Sequence, residues 1–199
     1  MHWTHRIFLS ALLFASSAAI LCFAAGCFAD SACFATEPAK PIVFPVTLSY
    51  NLDKDKVTLP ADLGGAVNLL VLSYSPAQQA DAQSWLPVAK SIAASRSDFR
   101  FYMLPVFWRQ NILYRLWMNY SMRSESPTAE SWPWTIPLYV NKERFNQELE
   151  IPSESDVVVL LVDKAGKVLW RSTGALTDEK KAALMVVLGP ASAKAPGTR

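Results

Sequence analysis

The chain has 199 residues, 51% of them hydrophobic and 18% charged, and 19 Lys and Arg against 17 Asp and Glu leave a net charge of +2. That balance excludes the strongly basic surface that binds nucleic acid, and it implies no strongly acidic partner. A chain this long and this apolar can bury a proper core in one domain.

Residues 1–6 carry a positive charge, Ile7 to Ala25 is almost wholly apolar, and small residues follow. This is the layout of a secretory signal. The apolar stretch also approaches the length that spans a bilayer, so an uncleaved anchor stands beside a cleaved signal as an alternative. Ala29 and Ala35 are candidate cleavage positions. Ala24-Ala25-Gly26-Cys27 resembles the lipobox of bacterial lipoproteins, with Ala24 where leucine is usual, and makes Cys27 a candidate for lipidation. Cys22 reads as a small apolar residue in a repeated Cys-Phe-Ala triplet. Residues 1–35 are therefore a signal peptide or lipoprotein signal, and the chain is expected in the periplasm or lipid-anchored to a membrane.

Residues 36–43, with Pro38 and Pro41, read as an extended tether, because proline fixes its own φ and keeps its predecessor out of helix. The domain is expected over 44–188. Phe44–Tyr50 and Val57–Leu59 alternate around a polar turn, which predicts a hairpin or two short edge strands. Val67–Leu72 follows Gly64-Gly65 and is apolar on both faces, the pattern of a buried central strand. Gln78 to Ala94 has helical periodicity with a kink at Pro87. Phe99–Val106 reads as a second strand ending at Pro105.

Gln110 to Met122 places Ile112, Leu113, Leu116, Trp117 and Tyr120 on one stripe of an amphipathic helix, and such a stripe ordinarily faces a core. Residues 124–131 are a polar break, the two prolines of Trp132–Pro137 exclude regular helix, and Lys142 to Leu149 forms a short helix. Val157–Val162, the turn Asp163–Lys167 and Val168–Arg171 make a β-hairpin. A helix then opens at Thr177 as N-cap, with Asp178 and Glu179 complementing its dipole, and stops at Gly189-Pro190. Residues 189–199 read as a disordered tail.

The order strand, helix, strand, helix, hairpin, helix resembles the thioredoxin-like superfamily, in its redoxin or peroxiredoxin-like branch. The residues that carry the resemblance are Val67–Leu72, the helix kinked at Pro87, and Val162-Asp163-Lys164-Ala165-Gly166-Lys167-Val168-Leu169-Trp170-Arg171 with Gly174. It implies an α/β fold, a thioredoxin-like three-layer α/β/α sandwich with a central mixed sheet. In redox-active members, cysteines sit where the first central strand meets the helix, since the helix N-terminus stabilises the thiolate. Counting from the strand, Gln78 and Asp81 fall near those positions, and neither side chain can form a disulfide. The family's cis-proline precedes the hairpin; Pro152 is the nearest candidate, four residues removed from Val157. Asp163 to Gly174 and the acidic helix start are also similar, more weakly, to the mitochondrial ATP synthase assembly factor family.

His2 and His5 belong to the signal segment, so the domain has no catalytic triad, Cys-His pair or imidazole metal site. Past residue 35 it has no cysteine either, and Cys27 and Cys33 are the only thiols near it. Ser73 and Ser75 read as polar strand-end residues. Asn51–Asp55 reads as a hairpin turn, since an EF-hand loop would need a glycine and a distal glutamate. Trp108, Arg109, Trp132 and Trp134 combine the residue types favoured at interfaces and form a candidate partner surface, the alternative being aromatic packing beneath a loop. No cofactor is implied. The leading expectation is an exported, non-catalytic thioredoxin-like protein that binds an unidentified protein partner, with possible membrane association through Cys27 or the signal. The alternatives are a thiol-disulfide oxidoreductase or peroxiredoxin-like enzyme using an N-terminal cysteine, and a small-ligand domain contacting its ligand through Gln78 and Asp81.

Overall fold

A computed structural model describes residues 40–125 and 129–190, all within the compact unit Ala39–Arg199. The signal, the lipobox, Cys22, Cys27, Cys33, tether residues 36–39 and the tail from residue 191 lie outside the described residues.

Strands β1 (Thr47–Tyr50) and β2 (Lys56–Leu59) form the expected antiparallel hairpin, with Thr47 opposite Leu59. Asn51 closes its turn: the Asp55 N–H donates to Asn51 Oδ1 at 2.8 Å, and Asn51 Nδ2 donates to Asp55 Oδ2 at 3.1 Å. The amide is spent on an Asx-type turn, the ordinary role of asparagine there.

The main sheet has five strands: β3 (Val67–Ser73), β4 (Phe99–Trp108), β5 (Leu138–Val140), β6 (Val158–Asp163) and β7 (Val168–Thr173), in the order β5-β4-β3-β6-β7. β3 runs parallel to β4 and antiparallel to β6, which makes the sheet mixed. The continuous apolar run of β3 fits its central place, where both faces are covered.

Alternation along the strands divides the core in two. Leu70, Leu72, Leu104, Val106, Leu160 and Val162 pack with Phe44, Leu59 and with Phe145 of α4 (Lys142–Glu148). Leu69, Val71, Phe99, Val159 and Leu161 pack instead with α1 (Gln79–Ser84), α2 (Leu86–Ser95) and α5 (Asp178–Leu188), through Ala82, Trp85, Ile92 and Leu184. These are the three layers expected of the chain. Trp85, fully buried, ties the α1–α2 layer to the sheet: it meets Trp170 of β7 edge-on at 6.1 Å, and its Nε1 donates to the Gly174 carbonyl at 3.0 Å.

Several boundaries move. The tether ends earlier than residue 43, because the Val168 N–H donates to the Ile42 carbonyl and Val43 bridges Lys167. The helix expected from Gln78 is a 3₁₀ turn, Pro76–Gln78, followed by α1 and α2. The break falls at Trp85, and Pro87 occupies the first turn of α2, where a missing N–H costs nothing.

Strand β4 continues past Pro105 to Trp108. Its pairing with β3 ends at Pro105, the Met103–Thr135 bridge precedes it, and the β5 ladder starts at Val106↔Leu138, one residue after Pro105 and Pro137. Neither proline has an N–H, so the gap in the ladder falls where neither residue can donate. β5 itself was not anticipated, being three residues between Pro137 and the N-cap Asn141. Thr177 caps α5 as expected, accepting from the Lys180 N–H.

The largest departure is α3 (Ile112–Glu125). None of its residues is buried, and the apolar stripe points outward: Ile112 is 62% exposed, Leu113 75%, Leu116 59%, Trp117 61% and Tyr120 69%. Its polar side does the packing. The Arg115 guanidinium lies 4.9 Å over the Tyr139 ring, the Tyr139 hydroxyl donates to Asn119 Oδ1 at 2.8 Å, and Arg123 Nε donates to the Leu52 carbonyl. Periodicity shows that a helix is two-faced, and the seat offered by β5 decides which face turns in.

Candidate functional site

Where β3 leaves the sheet, Tyr74 and Gln78 meet α4 and the loop that precedes β6. Gln78 is 5% exposed, and both ends of its carboxamide are used. Oε1 accepts the Tyr74 N–H at 2.7 Å, and Nε2 donates to the Glu154 carbonyl at 2.7 Å. One side chain therefore clamps the strand-to-helix junction to the loop before the C-terminal hairpin.

A second set of bonds runs behind the clamp. The Tyr74 hydroxyl donates to Asn146 Oδ1 at 2.8 Å, and Asn146 Nδ2 donates to Glu154 Oε1 at 2.7 Å. The other Glu154 oxygen pairs with Lys142, whose ammonium sits 5.3 Å from the Tyr74 ring centre and 5.5 Å from that of Trp108. Burial, reinforced by the Glu154 charge, pushes the Tyr74 phenol well above its usual range, so it stays protonated and acts as a donor. Each charge in this network already has a partner, an arrangement that fixes geometry more than it supplies a reactive group.

Beside the network, a cleft of about 310 Å³ opens between α1, the end of β4 and the end of α3. Its wall includes Ser73, Gln79, Gln83, Lys90, Glu130 and Trp134, with Lys90 and Glu130 paired at 3.6 Å. Gln79 and Gln83 line it, and Gln78 and Asp81 do not. Gln78, expected with Asp81 to contact a ligand, is drawn inward by its two bonds, and the glutamines on the cleft wall are Gln79 and Gln83. Asp81 stands in the first turn of α1, half-buried, where its charge complements the helix N-terminus. Ser75 is exposed just ahead of the 3₁₀ turn.

Among the described residues the cis peptide is Leu59–Pro60, so Pro152 is not cis. The position directly before β6 is Val157, fully buried.

The four residues of the expected partner surface do not form one patch. Trp108, 47% exposed, lies beside Lys142 on the α4 side of the sheet. Trp134 packs on Phe101 at 5.1 Å, on the α1 and α2 side, and Trp132 lies under the Arg123 guanidinium at 5.5 Å. Arg109 is exposed at the end of β4, its N–H donating to the Val140 carbonyl. Successive residues of a strand point to opposite faces, which is what separates Trp108 from the Trp134 cluster.

No protein-family model matches the chain, and no curated protein sequence matches it significantly. Solved structures do. BsSco, described as a member of the Sco family of cytochrome c oxidase assembly proteins, superposes with a TM-score of 0.51 at 16% identity, over 74% of this chain and 94% of its own. The chain has a thioredoxin-like fold. Further matches with the same fold are a candidate thiol:disulfide interchange protein DsbE from Chlorobium tepidum (TM-score 0.48, 16% identity, 75% of this chain and 94% of that one) and the exposed lipoprotein thioredoxin Etrx1 from Streptococcus pneumoniae strain TIGR4 (TM-score 0.47, 14% identity, 72% and 98%).

Within the thioredoxin-like fold, the sequence located the strand-to-helix junction but missed Tyr74, Lys142, Asn146 and Glu154. Lys142 and Asn146 are spaced i, i+4 and so share a face of α4, the one local signal available. Their partner Tyr74 lies 72 residues from Asn146, beyond any local pattern.

Proposed function

We propose that the chain is an exported thioredoxin-like protein without thiol catalysis, acting as a binding or assembly module. The Gln78 clamp carries this reading. In redox-active members of the fold the same junction presents a thiol, whereas here it holds a carboxamide spent on two backbone groups 2.7 Å away. The chain's three cysteines, Cys22, Cys27 and Cys33, all precede the domain. Export is supported by the charged start and the apolar run at 7–25. An assembly role is supported by the resemblance of Asp163 to Gly174 to the ATP synthase assembly factors.

The rival reading, an oxidoreductase that brings Cys27 or Cys33 to its substrate, makes the opposite prediction in one assay. With dithiothreitol as reductant, the full chain is expected to leave insulin reduction at the uncatalysed rate. Turnover that disappears in a Cys27→Ser, Cys33→Ser variant would overturn the proposal in favour of the enzyme.

A further inference from the structure

The cleft of about 310 Å³ beside α1 is separate from the Gln78 network, since none of Tyr74, Gln78, Lys142, Asn146 and Glu154 is on its wall. Its volume is that of a small-molecule site. Leu86 of α2, Met103 of β4, Met122 of α3 and Trp134 give it an apolar lining. Two thioethers and an indole make a wall that adapts to an aliphatic or aromatic body.

The charges on the wall decide which kind of small molecule fits. They are Lys90, Glu125 and Glu130, so carboxylates outnumber ammonium groups. Arg123, the neighbouring cation on α3, is turned to the Trp132 ring and the Leu52 carbonyl and is not on the wall. Lys90 shows what this donor set holds. Its ammonium lies 3.6 Å from Glu130 and 5.8 Å from the centre of the Trp134 ring, and a carboxylate beside an aromatic face is a combination that binds ammonium ions. Glu125 is left without a cation: among the described residues it forms no ion pair and accepts one long hydrogen bond, from Ser121 Oγ at 3.4 Å. A surplus carboxylate at the edge of an apolar cleft favours a cation and opposes an anion.

We propose that the cleft binds a small organic cation, a free amine in its ammonium form on an aliphatic or aromatic body, with the body among Met103, Met122 and Trp134 and the ammonium at Glu125. Lys90 competes with such a ligand for Trp134 and Glu130. The inference does not depend on whether the chain has thiol activity.

The chain has five methionines, so methyl-labelled methionine reads the site directly by nuclear magnetic resonance of the full chain. Titration with 2-phenylethylammonium is expected to shift the Met103 and Met122 methyl signals saturably, at concentrations around 1 mM. Met118 and Met185, which are not on the wall, should stay in place and report that each variant is folded. The anion 3-phenylpropanoate, of similar length, should leave all four unchanged. Glu125→Gln is expected to weaken binding of the amine about threefold to fivefold, and Lys90→Met, which frees Trp134 and Glu130, to tighten it by a similar factor. No saturable shift with the amine would overturn the proposal, as would equal shifts with the anion or a Glu125→Gln variant that binds as well as the parent. Tighter binding of N-acetyl-lysine methylamide than of the free amine would also overturn it, in favour of a lysine side chain on a partner protein.

Discussion

Arg96 shows how a single side chain of this protein is committed several times over. It caps α2, its Nη1 donates to the carbonyls of Leu188 at 2.7 Å and Gly189 at 3.1 Å, and it pairs with Asp98 at 2.8 Å. The hydrogen bond from Arg96 holds the Asp98 carboxyl below its ordinary value, against the opposing cost of desolvation. A carboxyl depressed in the folded state stabilises the fold above its unfolded pKa, about 4, and that contribution fades as pH falls through the folded value. Asp98→Asn is therefore expected to lower stability at pH 7 and to cost progressively less below about pH 4. Denaturant titrations of both proteins at pH 7 and pH 3 check this, and an equal difference at the two pH values would contradict it. Gln78 follows the same logic without charge. The sequence put it at the right junction and gave no sign that its amide turns inward, since both acceptor and donor are backbone groups.

At the scale of elements, α3 separates what a sequence shows from what it leaves open. Its period and limits were legible, and its orientation was not. The same holds for β4, where Pro105 reads locally as a stop, yet the strand runs on because its partner offers Pro137 at the matching place. β3, β6 and the hairpin turn were legible because burial on both faces and the turn at Asp163–Lys167 leave a local mark. Gly166 explains that turn further: it has φ +84°, and a Cβ there would come within 2.5 Å of Pro60 Cγ. If α3 is seated by its polar side, Leu116→Ser should change stability in solution by less than about 0.5 kcal/mol, as for an exposed position. Asn119→Ala, which removes the acceptor of the Tyr139 hydroxyl, should cost about 1 kcal/mol. Burial pushes the Tyr139 phenol up to about 12, partly offset by Arg115, so its hydroxyl remains a donor across the physiological range. Urea denaturation of the two variants measures both effects, and a larger loss for Leu116→Ser would mean that the stripe is the packed face.

Across the whole molecule, the layers that carry thiol chemistry elsewhere in this fold are joined here by a polar network. β3, α1, α4 and the loop before β6 all meet at Gln78, Tyr74, Asn146, Lys142 and Glu154, and the described domain contains no cysteine. The architecture followed from the order of elements, whereas the network depends on pairs more than 70 residues apart that only the folded sheet brings together. The apolar face of α3 and the cleft beside α1 lie on the same side of the sheet as α2, leaving the Gln78 network to serve as a fixed joint. The most direct test of that joint is side-chain amide exchange by nuclear magnetic resonance. The Gln78 carboxamide protons should exchange at least about a hundredfold more slowly than those of Gln79 and Gln83, which are exposed one and five residues further on. Exchange of Gln78 at the same rate as Gln79 and Gln83 would mean that the junction is open, and would contradict the account.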